Sequence, residues 1–234
     1  MPPDAIYTFK HALIQDAAYE SLLRTRRTDM HAAIVSALEC DSNFGALGPA
    51  MLGYHCAQAG LIEKAASYYR EAGERSGKLS AFVETKTLLE RGLTLAKTLA
   101  DNPGRRRLQA ELLIAHGRVL HVTEGMSNME AATDLELAIQ LSRTLDDTET
   151  LARALSDWWI NVMWRGGLDA GWPVAQELLR IGVRRDDAQT EVFAQTALGI
   201  TQLLRGHLTE ARKYLAAAGD LRVRKHDTQF DARR

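Results

Sequence analysis

Residues 52–72 read LGYHCAQAGLIEKAASYYREA, and residues 198–218 read LGITQLLRGHLTEARKYLAAA. Few letters coincide, yet the small and large residues fall at the same offsets. Leu52 and Gly53 are followed by Gly60, Ala65, Tyr69 and Ala72. Leu198 and Gly199 are followed by Gly206, Ala211, Leu215 and Ala218. This spacing has a physical reading. Gly53 and Gly199 remove a Cβ where two helices cross, and Ala65 and Ala211 do the same from the other side. Tyr69 or Leu215 then fills the groove beside them. Gly60 and Gly206 stand at the turn, where left-handed backbone costs glycine least.

The pattern resembles the tetratricopeptide repeat (TPR), a helix–turn–helix unit of 34 residues. Between the two stretches it loosens. Gly117, Gly125, Ala131, Leu135 and Ala138 keep it with a turn lengthened by about two residues. Near the third instance the turn glycines Gly166 and Gly167 survive, but Trp172 is read where a small residue belongs. The segment YYREAGERSGKLSAFVETKTLLERG reuses the helix near 62–79.

Elsewhere apolar residues recur at three- and four-residue spacing, as in Leu208, Ala211, Leu215 and Ala218, which is the helix signature. Prolines 2, 3, 49, 103 and 173 read as element ends. The chain is expected to be all-α, a superhelical array of antiparallel helix hairpins with about eleven helices. They are expected near 11–24, 27–40, 47–59, 62–79, 82–100, 105–123, 128–145, 149–165, 168–184, 188–205 and 208–223. The organisation read from this is a winged-helix-like end over 1–45, TPR-like repeats over 46–223 and a charged tail over 224–234.

Composition narrows the function. Lys plus Arg number 29 and Asp plus Glu 30, a balance that gives no reason to expect nucleic acid or an anionic membrane as main partner. The runs Arg24, Arg26, Arg27 and Arg105, Arg106, Arg107 read as solvated helix ends. Cys40 and Cys56 are the only cysteines and lack metal-site or disulfide-framework spacing, which fits a reducing cytoplasm. No apolar run approaches the ~20 residues of a membrane helix, and the N-terminus lacks signal-peptide character.

No phosphate-binding glycine loop, nucleophile elbow or HExxH motif occurs, so no catalytic residue, cofactor or metal is expected. His116 and His121, five apart on one helix, point away from each other. His55 reads as a half-buried packing residue, His31 as a capping or packing one. Trp158, Trp159, Trp164 and Trp172 read either as gap fillers between irregular repeats or as an aromatic face for a partner or ligand.

The stretch YTFKHALIQDAAYESLLRTRRTDMHAAIVSALE, residues 7–39, resembles the end of the winged helix in bacterial STAND-type signalling ATPases. These join a class III cyclase domain, an AAA-like ATPase and a TPR-like tail. Tyr7, Phe9, His11, Leu13, Ala18, Tyr19, Leu22, Leu23, Arg27, His31 and Ile34 carry the resemblance, and residues 195–221 are similar to the repeat of the same tails. The resemblance implies a nucleotide-switch histidine at His11, acting only when the ATPase domain is present; Ala12 stands where some relatives have Asp. It implies a C-terminal piece, or a shortened relative, of such a protein. The expected function is a non-catalytic regulatory and protein-interaction region, whose partner is its own ATPase or cyclase domains or another signalling protein. The alternative is a sensing domain that takes a small molecule or peptide in the superhelix groove, with His116, Arg118 and His121 beside the tryptophans.

Overall fold

The structure, a computed structural model, describes residues 12–40 and 48–231. The expected opening strand and His11 lie outside the described residues. The described residues form eleven helices and no strand: α1 (Ala12–Glu20), α2 (Arg24–Cys40), α3 (Pro49–Gln58), α4 (Ile62–Lys78), α5 (Phe82–Thr98), α6 (Pro103–Glu124), α7 (Met129–Thr144), α8 (Thr148–Trp164), α9 (Leu168–Arg185), α10 (Ala188–Leu204) and α11 (Leu208–Asp231). The fold is an all-α array of antiparallel hairpins. α11 runs to Asp231, past the expected end at 223. Pro173 sits inside α9 and not at its end. So near the N-terminus its missing N–H forfeits only an early hydrogen bond of the ladder.

The glycines sit at the crossings. A Cβ on Gly53 would stand 3.1 Å from Tyr69, one on Gly117 3.1 Å from Leu135, and one on Gly199 2.7 Å from Leu215. Ala65, Ala131 and Ala211 are buried beside them, as are Ala72, Ala138 and Ala218. Leu215 alone of the three fillers is 39% exposed, because α11 packs closely only on α10. α4 and α5 repeat the scheme, with Leu89 2.8 Å from where a Cβ on Gly73 would stand.

The hairpin α8–α9 inverts it. Counted from the left-handed turn residue Gly166, the glycine place of Gly53 and Gly199 is held by Trp159. The place of Tyr69 and Leu215 is held by Ala175, and that of Ala65 and Ala211 by Gly171. A Cβ on Gly171 would meet Met163 Sδ at 2.8 Å and Trp159 Nε1 at 3.3 Å. Bulk has moved from one helix to the other, and the groove stays filled. The small residue of this unit is therefore Gly171 and not position 172. Trp172 turns away and packs edge-on against Tyr214.

The turns keep time. Left-handed residues fall at Gly60 and Ser80, then at Asp146, Gly166, Asp186 and Gly206, each 20 after the one before within its run. A hairpin here is thus longer than the 34-residue unit expected from the sequence. Short polar side chains tolerate the left-handed conformation where glycine is lacking. Asn102, Asn128, Asp147 and Asp187 cap α6, α7, α8 and α10 by accepting backbone N–H bonds.

α1 and α2 join the array through a polar cluster. Tyr19 Oη and His31 Nε2 share a hydrogen bond of 2.9 Å, and His31 Nδ1 and His55 Nδ1 share one of 2.7 Å. This chain of bonds closes when both imidazoles are neutral. Burial pushes both histidines below the usual value of 6.5, and for His31 the charge of His55 adds to it. Val35, Cys56 and Ala65 pack beneath.

A lowered histidine pKa stabilises the fold fully above the unfolded value, and that contribution is lost as pH falls through 6.5 and below. Acidification from about pH 7.5 to about 5.5 is therefore expected to loosen α1 and α2. Amide exchange at residues 16–31 checks this. Lower protection relative to the intrinsic amide rate is expected at low pH, and the response should shrink in His31→Gln; equal protection at both pH values would contradict it.

Candidate functional site

α4 touches α6, α6 touches α8, and α8 touches α10, each across one intervening helix; α5, α7, α9 and α11 make no comparable contacts with one another. The even-numbered helices are therefore the shorter arc of the array, its concave side. Two cavities open along this face and share Arg118 and Arg153.

The first cavity, 430 Å³, lies among α4, α5, α6 and α8. Phe82, Leu89, Val119 and Val122 make its apolar wall, with Gly73 and Gly77 keeping α4 thin. Leu89 and Val119 are core residues, whereas Val122 is 55% exposed. The second cavity, 590 Å³, lies between α6, α8 and the start of α10, and Phe193 is its aromatic member.

The charges on this face are mostly paired. Arg118 Nε donates to Asp157 at 2.6 Å, Arg185 Nη2 to Glu149 at 3.3 Å, and Arg70 Nη1 to Glu74 at 2.8 Å. Asp187 is occupied with capping α10. Burial pushes the Asp157 carboxyl up, against the charges of Arg118, His121 and Arg153. Two cations remain over. Lys78 and Arg153 make no hydrogen bond or ion pair among the described residues, although the charge of Arg153 reaches Asp157.

The expected site residues separate. Leu52 is half-buried, while Gly53, Ala65, Tyr69, Ala72, Leu198, Gly199, Ala211 and Ala218 are buried at crossings; Gly60 and Gly206 hold left-handed turns. The tryptophans do not form one face. Trp159 is core, edge-on to Phe193, and its Nε1 has no hydrogen-bond partner. Trp158 packs against the larger core and donates Nε1–H to Glu136 at 3.3 Å. Trp164 stands 69% exposed. Trp172 carries the Arg205 guanidinium over its ring at 5.3 Å. Atypical packing explains Trp159 and Trp172.

His116 and His121 do point apart. His116 Nδ1 bonds Asp134 at 2.6 Å, while His121 Nε2 accepts from Asn161 Nδ2 at 3.3 Å, with burial lowering its pKa. Only Arg118 of that trio reaches the concave face. Phe82, Lys78 and Arg153 were not singled out from the sequence. Each is a lone residue on its own helix, and only folding brings them to one cavity. Among the described residues no cluster of metal-binding side chains forms, and no helix is long and apolar enough to cross a membrane.

No protein-family model matches the chain. It is 30% identical over 144 residues to an uncharacterized protein of Rhizobium meliloti (strain 1021). That match takes in 61% of this chain but 14% of the other protein, so the chain spans a small part of its relative's length. Among solved structures it is similar to BtubC (BKLC) from P. vanneervenii, with TM-score 0.30 and 13% identity over 88% of this chain and 93% of that one, a likeness too slight to bear on function.

Proposed function

We propose that this chain is a non-catalytic, TPR-like regulatory region of a larger signalling ATPase or nucleotide cyclase. It works by docking the concave face of α4, α6, α8 and α10 onto another domain. The observation that carries the reading is the continuity of that face. Four helices present one surface with two adjoining cavities, in which Lys78 and Arg153 make no hydrogen bond or ion pair among the described residues. Match to a small segment of a much longer relative fits a module that works beside other domains. The resemblance of residues 7–39 to the end of a STAND winged helix names the class of neighbour, an ATPase joined to a cyclase, in the cytoplasm.

Docking of this kind needs a standard interface of about 1,600 Å² in total. Sedimentation velocity of the chain mixed with the ATPase–cyclase portion of such a protein is expected to reveal a one-to-one complex. Independent sedimentation of the two would refute docking. The chain alone is expected to turn over neither ATP nor GTP, and any turnover above buffer would overturn the non-catalytic reading.

A further inference from the structure

The first cavity is a small-molecule site in its chemistry. Its volume of 430 Å³ falls within the range of ligand pockets, about 300–1,000 Å³. Its wall is apolar, and its two unpaired side chains are both cationic. The remaining charges have partners within the fold: Glu74 meets Arg70, which it shares with Glu111 at 3.2 Å, and Arg118 meets Asp157. Thr85, the one hydroxyl in the lining, already donates to the Ala81 carbonyl at 2.9 Å. The lining holds no Asn or Gln side chain, so a peptide backbone laid here would lose its water partners and gain few in return.

From these features we infer that the cavity between α4, α5, α6 and α8 binds a small amphiphilic carboxylate. Its apolar body lies against Phe82, Leu89, Val119 and Val122, and its carboxylate meets Arg153, with Lys78 adding charge. A guanidinium presents a planar fork that matches a carboxylate with two parallel bonds. The same Arg153 lines the second cavity, whose lining also carries the carboxylates of Glu149, Asp157 and Asp187; the apolar wall of the first cavity sets the side on which the ligand's body lies. The inference stands apart from docking on a partner domain, because its test uses the chain alone.

Calorimetric titration with decanoate is the experiment, with decanol and decylammonium as uncharged and cationic counterparts of equal length. One site is expected, with decanoate at least tenfold tighter than either counterpart. Arg153→Gln should weaken decanoate about tenfold, the range of one charge-assisted bond, and leave decanol unchanged. Val122→Asp, at an exposed position that does not hold the fold, should weaken decanoate further than decanol. Equal affinity for the three probes, several weak sites, or unchanged decanoate binding in both variants would overturn the inference. So would a chain that ignores decanoate yet binds an acidic peptide.

Discussion

Trp159→Ala is expected to cost about 3–5 kcal/mol, the range for deleting a buried tryptophan from a packed core. In a chain of this size that lowers the melting temperature by on the order of ten degrees. Trp159 stands in the glycine place of its hairpin, and Ala175 and Gly171 make room for it. The loss empties the seam between α8, α9 and α10, where Trp159 meets Ala175, Ala197, Leu198 and Phe193.

Size inversion makes a sharper claim than burial alone. Ala175→Leu by itself overfills the seam and costs about 1–3 kcal/mol. Combined with Trp159→Ala it restores the arrangement of Gly199 opposite Leu215. The double variant should then be more stable than the sum of the two losses by about 1 kcal/mol or more. Denaturant melts of the four proteins measure this coupling. Simple additivity would show that the two side chains do not share one space.

Gly182→Ala is expected to destabilise by about 1–2 kcal/mol, while Gly219→Ala is expected to stabilise by up to ~1 kcal/mol. Alanine gains about 1 kcal/mol over glycine in any helix interior, so the sign depends on what the new methyl meets. At Gly182 it meets the Glu191 backbone nitrogen at 2.8 Å and its Cα at 3.2 Å, atoms that cannot rotate away. α9 and α10 must part, at the cost of overpacking. At Gly219 nothing lies within 4 Å. Scanning calorimetry on the pair decides it. Equal shifts of the same sign would remove close approach as the reason for the buried glycines.

The helices themselves are legible in the sequence. α4 is expected over 62–79 and found at Ile62–Lys78, and α10 is expected over 188–205 and found at Ala188–Leu204. Leu and Ala at three- and four-residue spacing set their faces, and short polar turns set their ends. The 20-residue beat of the turns is harder to see. Ser80, Asp146 and Asp186 fill left-handed positions as Gly60, Gly166 and Gly206 do, and a search keyed to glycine passes over them.

The inverted hairpin is hidden for a related reason. A pattern that seeks a small residue opposite a large one does not register the exchange of Trp159 for glycine and Ala175 for leucine. Least legible is the cavity. Arg118 finds Asp157 on another helix, and Lys78 and Arg153 become unmatched only once every neighbouring charge has its partner in three dimensions.

Docking through the concave face is tested most directly by charge variants in the sedimentation experiment. Lys78→Glu with Arg153→Gln alters the even-helix face; Arg212→Glu with Lys213→Glu alters exposed residues of α11 and changes the net charge at least as much. The first pair is expected to weaken the complex with the ATPase–cyclase portion at least tenfold and the second to leave it near wild type. Equal weakening by both pairs, or loss with the α11 pair alone, would contradict a partner seated along α4, α6, α8 and α10.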